Sequence, residues 1–152
     1  MYMEKNSKNP LEILNQLSKE MDEIYHSYAK DQGVSDSALW LMYSIYESSA
    51  PCTQKDLCAA WHYPPQTVNS VLKNLEKKGC VTLETTPENH KNKLIFLTKQ
   101  GRKLLEEVIA PLIHAEEQAF QYLTKEEQTA LLSLTRKYME SLRKEVSGIC
   151  ED

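Results

Sequence analysis

The chain has 152 residues, 41% hydrophobic and 26% charged, with a formal net charge of −4. That balance fits one compact unit, or a core with a helical extension, and excludes a disordered chain. No run of about 18 apolar residues occurs, which excludes a membrane-spanning helix, and the polar residues 1–10 lack the apolar core of a signal peptide. A cytoplasmic chain is therefore expected. Four cysteines (Cys52, Cys58, Cys80 and Cys150) form no CxxC pair, so they read as small buried hydrophobes and not as a disulfide framework.

The first helix is expected over residues 10–30. Leu11, Leu14, Leu17, Met21, Ile24 and Tyr28 recur at steps of three or four, which gathers them on one stripe. Pro10 suits a first helical turn, and Gly33 ends the pattern as a left-handed cap. Ser35 and Asp36 cap a second helix with Leu39, Trp40, Met42, Tyr43 and Tyr46 as its apolar face, stopping near residues 48–51. Thr53 opens a short third helix with Asp56 in capping-box position, and Leu57 and Ala60 are expected in the core.

A fourth helix starts at Pro64 or Pro65, buries Val68, Val71, Leu72 and Leu75, and ends at Gly79. Its opposite face presents Gln66, Thr67, Asn69, Ser70 and Lys73, with Lys77 further along. CVTLET (80–85) and KLIFLT (93–98) have strand character and flank the polar seven-residue stretch TPENHKN, which predicts a β-hairpin. A long helix follows, with Leu104, Leu105, Val108, Ile109, Leu112 and Ile113 as its apolar set and a kink expected at Pro111. Thr124 and Glu127 then form a capping box for a last helix carrying Leu131, Leu134, Tyr138, Leu142 and Val146. The expected class is mainly α with one β-hairpin.

Charge is distributed unevenly along this order. Residues 64–103 carry eight basic and three acidic side chains, a net of +5, which leaves −9 for the rest. A basic segment within an acidic chain fits one face that approaches phosphate. A short helix, a tight turn and a second helix with a polar outer face have the form of a helix-turn-helix, whose second helix enters the major groove of duplex DNA. Gln66 and Asn69 suit adenine edges, Thr67, Ser70 and Pro65 lie at the same end, and Lys73 and Lys77 suit phosphate. At the hairpin tip, His90, Lys91 and Lys93 are within reach of phosphates or the minor groove. The competing reading is a structural helical hairpin with solvated polar residues.

TVNSVLKNLEKKGCV, followed by a polar loop and IFLTKQG, resembles the signature of the MarR (multiple antibiotic resistance regulator) family of winged helix-turn-helix regulators. Leu75-Glu76-Lys77-Lys78-Gly79 and Leu97-Thr98-Lys99-Gln100-Gly101 carry the resemblance, which extends over nearly the whole chain. It implies a homodimer that binds double-stranded DNA at a palindromic operator, as a repressor released by a small effector. Residues 1–33 and 99–152 would form the dimerisation region and residues 34–98 the winged lobe. The chain departs from the family at Asn89-His90-Lys91, where Asp-Arg-Arg is common, and at Ser70, where arginine is common. Lysine and histidine lack the planar guanidinium fork, so the wing contact is expected to be differently aimed. A winged-helix protein-interaction module without DNA binding is the alternative.

The resemblance also implies an effector pocket between stem and lobe, which Tyr25, Tyr28, Trp40 and Tyr43 would line for a small aromatic ligand. Packing of the same rings in the core is the other reading. The first helix lacks the reactive cysteine of the family's hydroperoxide-sensing branch. His26, His62, His90 and His114 are scattered, so no metal is expected. Cys58 and His62 lie one turn apart, yet no glycine-rich phosphate loop, nucleophile elbow or paired carboxylates accompany them. Neither catalytic residues nor a cofactor are expected, and the chain is not read as an enzyme.

Overall fold

Local capping and periodicity account for most of the helix boundaries in the computed structural model, which describes residues 9–151, without the side chains of Asn89 and His90. The expectations resting on residues 1–8 and 152, and on the His90 side chain, lie outside the described residues. Helix α1 spans Pro10–Asp31, with the Asn9 side chain accepting from the Leu11 amide. It ends where Gly33, at φ +73°, turns the chain so that the Gly33 and Val34 amides donate to Lys30 and Ala29. Helix α2 (Asp36–Glu47) is capped by Ser35, and α3 (Gln54–Trp61) by a reciprocal capping box between Thr53 and Asp56. His62 closes α3 in the left-handed conformation at φ 55°, which histidine tolerates better than most side chains. Helix α4 is Pro65–Lys77.

Strand β1 is Cys52–Thr53, β2 is Val81–Thr86 and β3 is Asn89–Leu97. They form an antiparallel sheet in the order β1-β3-β2, with Cys52 opposite Ile95 and Val81 opposite Leu97. The hairpin is tighter than its sequence suggests. The expected seven-residue loop shrinks to the turn at Pro87 and Glu88, because pairing resumes at Thr86–Asn89 beyond an irregularity between Glu84 and Thr86. An exposed polar ribbon needs no apolar alternation to pair, so periodicity cannot locate it. Strand β1 has two residues, too few to display any period.

Helix α5 is Lys99–Gln121 and runs unbroken through Pro111; α6 is Lys125–Cys150. The chain divides into two units between Ala110 and Pro111. In the first, Ala29, Leu39, Leu41, Met42, Ile45, Leu57, Val68, Leu72, Leu75, Val81, Ile95, Leu105, Val108 and Ile109 form the core. Leu41 and Ile45 lie outside the expected stripe of α2. They are buried because α2 packs against α1, α3 and α4, so its apolar surface wraps most of the helix. Conversely, Trp40, Tyr43 and Tyr46 are half-buried, Val71 likewise, and Ala60 is exposed. Cys80 is buried and Cys52 and Cys58 are half-buried, whereas Cys150 is exposed near the end of α6, against expectation. Burial pushes the Cys52 thiol up, away from the reactive thiolate.

In the second unit Thr124 and Glu127 form the expected capping box, and the Gln128 amide donates to the carbonyls of Phe120 and Leu123 across the turn before α6. Hydrogen bonds from the Thr124 backbone and side chain hold the Glu127 carboxyl below its ordinary range. Among the described residues α6 buries nothing: Leu131, Leu134, Leu142 and Val146 are all exposed. The stripe of α1 behaves the same way, with Leu11, Leu14, Leu17, Met21 and Ile24 exposed and Ala29 buried.

Candidate nucleic-acid interface

Val68, Leu72 and Leu75 bury one side of α4 and so fix which side faces outward. Gln66, Ser70, Lys73 and Lys77 are exposed on it, with Pro65 at its first turn, while Thr67 and Asn69 are half-buried along its margins. The sequence-predicted residues sort to the two flanks of the helix. On the strand side, Asn69 and Lys73 line a groove of about 440 Å³ with Lys91 and Lys93 of β3. On the other side, Thr67 and Ser70 line a second groove of about 550 Å³ with Ser35, Ser37 and Asn74.

The strand-side groove also contains Gln54 and Lys55 from the first turn of α3, with Cys58 and Glu76. Four lysines against one carboxylate make it cationic, and its walls are a helix with amide groups and a β-ribbon. Sequence reasoning overlooked Gln54 and Lys55. The signal that locates them is the Thr53 capping box, which fixes where the helix begins and so which residues point from its first turn.

The turn between α3 and α4 is short and stiff. His62 supplies the left-handed step, and Pro64 and Pro65 fix two consecutive φ angles. The Pro64 carbonyl accepts from the Thr67 and Val68 amides. Gln54 Nε2 donates to the Pro65 carbonyl at 3.1 Å. At the far end, the segment from Thr98 to Gly101 closes on the segment from Lys78 to Cys80. Thr98 Oγ1 donates to the Gly79 carbonyl at 2.6 Å, the Thr98 amide to the Cys80 carbonyl at 3.0 Å, and Gln100 Nε2 to the Lys78 carbonyl at 3.2 Å. The two most family-like motifs in the sequence thus bind each other.

Among the four aromatic residues singled out, the structure brings three together. Trp40 contacts Tyr25 at 4.7 Å and Tyr43 at 5.7 Å between ring centroids, and stacks on Trp61 at 4.9 Å. Trp61 Nε1 donates to Ser44 Oγ. Tyr28 stands apart and donates its hydroxyl to the Val108 carbonyl; burial raises the pKa of that hydroxyl. His26 pairs with Asp36 at 2.9 Å on the surface, and the described residues contain no group of three or more His, Cys, Asp or Glu able to hold a metal ion. None of their helices is long and apolar enough to cross a membrane.

Comparison with known proteins gives concordant results. The family model described as MarR family matches residues 32–91. An HTH-type transcriptional regulator of Bacillus subtilis (strain 168), YwoH, is 27% identical over 104 residues, 68% of this chain and 75% of its own length. The solved structure of NMB1585, a MarR family regulator from Neisseria meningitidis, superposes with a TM-score of 0.78 at 19% identity, covering 92% of this chain and 98% of that one. The MepR–DNA complex of Staphylococcus aureus gives 0.71 at 22% identity, with 90% and 99% covered.

Proposed function

We propose that this chain, whose residues 32–91 match the MarR family model, is a transcription regulator of that family, a cytoplasmic homodimeric repressor that reads a palindromic DNA operator with α4. The observation that carries the reading is the cationic groove where Asn69 and Lys73 of α4 face Lys91 and Lys93 of β3. A helix exposing amides and hydroxyls suits base edges, and lysines on an adjacent ribbon suit the backbone. The MepR–DNA complex, with which the chain shares its fold, supports the same use of it.

Pro65, Gln66, Thr67, Asn69 and Ser70 form the reading end in this proposal, and Lys73, Lys77, His90, Lys91 and Lys93 the phosphate contacts. Lys73→Ala and Lys91→Ala are expected to weaken binding to specific and random duplexes alike. Each flattens the log–log salt dependence by about 0.9 for every phosphate that is no longer neutralised. Gln66→Ala and Asn69→Ala are expected to relax sequence preference, each by about 1–3 kcal/mol. Fluorescence titrations across a salt series separate the two classes, and unchanged slopes for both lysine variants would remove them from the interface.

Homodimerisation is supported by the exposed apolar stripes of α1 and α6. A two-fold dimer presents two copies of α4 to one face of the duplex about 34 Å apart, or about 10 base pairs. The operator is then an inverted repeat, and its half-sites are rich in adenine and thymine, because guanine is read mainly by bidentate arginine or lysine. Footprinting on DNA flanking the gene identifies the site. Inserting about five base pairs at its centre rotates one half-site to the opposite face. Tight binding is expected to disappear; full affinity for the lengthened site would rule out symmetric docking. Release by a small aromatic effector at Tyr25, Tyr28, Trp40 and Tyr43 completes the proposal. Because Tyr25 and Tyr43 already touch Trp40, a ligand enters by parting one of them from it.

A further inference from the structure

Base reading by hydrogen bonds demands that a helix axis be held to a fraction of an ångström, and α4 is short. From Pro65 to Lys78 it is roughly 20 Å long, so a tilt of about 5° about one end moves the other by about 1.7 Å. That displacement breaks a bidentate contact.

The means of holding it are visible at both ends. Among the described residues no side chain caps the N-terminus of α4, and Pro64 and Pro65 have no amide proton to anchor it. Gln54, the first residue of α3, supplies an anchor by donating from Nε2 to the Pro65 carbonyl. At the C-terminus Lys78 is the cap residue, and its carbonyl is one of the group that a helix leaves unbonded. Gln100, in the first turn of α5, donates to it from Nε2. Two neutral amide side chains, from two different helices, thus grip the backbone at opposite ends of the same helix. The contacts are side chain to main chain, so they are independent of what α4 carries on its exposed face.

We propose that Gln54 and Gln100 are positioning residues for sequence reading, holding the axis of α4 without touching a base. This rests on the DNA-reading role proposed above. Gln54 lies in the strand-side groove, so direct contact with DNA is the rival role that the test must separate.

Gln54→Met and Gln100→Met preserve charge and approximate shape while removing the donor. The probes are a duplex recovered by the wild-type protein from a random-sequence pool and an unselected random duplex. Each variant is expected to lose about threefold to tenfold in affinity for the selected duplex, and the double variant about tenfold to a hundredfold. Affinity for the random duplex and the salt slope stay at wild-type values, because every phosphate contact is retained. Amide hydrogen exchange in the DNA-free protein is expected to quicken near residues 67–69 in Gln54→Met and near residues 78–80 in Gln100→Met. Exchange confined to one end of α4 also distinguishes impaired positioning from global unfolding, which raises exchange throughout. Parallel losses on both duplexes, or reduced selectivity with unchanged exchange, would assign the glutamines to direct contact and overturn the proposal. Wild-type affinity in both variants would overturn it as well, leaving DNA reading intact. Failure of the wild-type protein to recover any duplex would instead bring down the DNA-reading role, and the positioning role with it.

Discussion

Gly101→Ala is expected to destabilise the protein by at least about 3 kcal/mol, well above the typical cost of a point substitution. Gly101 is buried in the first turn of α5, where its amide donates to Thr98 Oγ1. A Cβ at this position would lie 1.8 Å from the Cys80 carbonyl oxygen and 2.7 Å from its carbon. Both are main-chain atoms between α4 and β2, so neither can swing aside as a side-chain tip would. Relief requires α5 to back away, and that strains the hydrogen bonds of Thr98 to Gly79 and Cys80. With roughly 2–4 °C lost per kcal/mol in a chain of this size, the melting temperature should fall by about 10 °C. Gly148 is the matched control, since nothing lies within 4 Å of its hypothetical Cβ. Gly148→Ala should hold or slightly raise the melting temperature, as alanine stabilises a helix interior by roughly 0.5–1 kcal/mol. Equal melting curves for Gly101→Ala and wild type would show that the close approach is not maintained in solution.

Leu17→Asp and Leu142→Asp are expected to split the proposed dimer. Leu17 is 53% exposed in α1 and Leu142 43% exposed in α6, each on a stripe of large apolar residues. Contiguous apolar stripes of this kind mark association surfaces. Burying one such side chain contributes about 1.5–3 kcal/mol, and two-fold symmetry counts each substitution twice. A loss of about 3–6 kcal/mol weakens association by roughly a hundredfold to ten-thousandfold, before any cost of burying the carboxylates. Sedimentation equilibrium should give a dimer for wild type at micromolar concentration and a shift to monomer for both variants. The variants should also lose high-affinity operator binding, since a monomer engages a single half-site. A wild-type protein that sediments as a folded monomer at that concentration would refute the dimer.

The sequence alone determined those features that depend on neighbours a few residues apart. Ser35, Thr53 and Thr124 cap their helices through bonds to amides three residues on, and Gly33 and Gly79 supply left-handed steps at helix ends. Val68, Leu72 and Leu75 recur with the helical period, so the buried side of α4, and with it the exposed side, is legible in the order of residues. Tertiary structure decided what depends on distant partners. β1 exists because Cys52 and Thr53 pair with Ile95 and Leu94, some forty residues away, and two residues carry no period of their own. The same holds for Leu41 and Ile45, buried by three surrounding helices, and for Ala60, which the packing of α3 leaves in solvent. The two family-like motifs looked like parts of a DNA-binding signature, yet the fold joins them to each other through Thr98, Gln100 and the bare Cα of Gly101. A hydrogen bond between Gln100 and Lys78, or between Gln54 and Pro65, leaves no trace in local periodicity, because glutamine at a helix start is compatible with almost any environment. Only when packing of the core brings those helix ends within about 3 Å does the side chain acquire its partner.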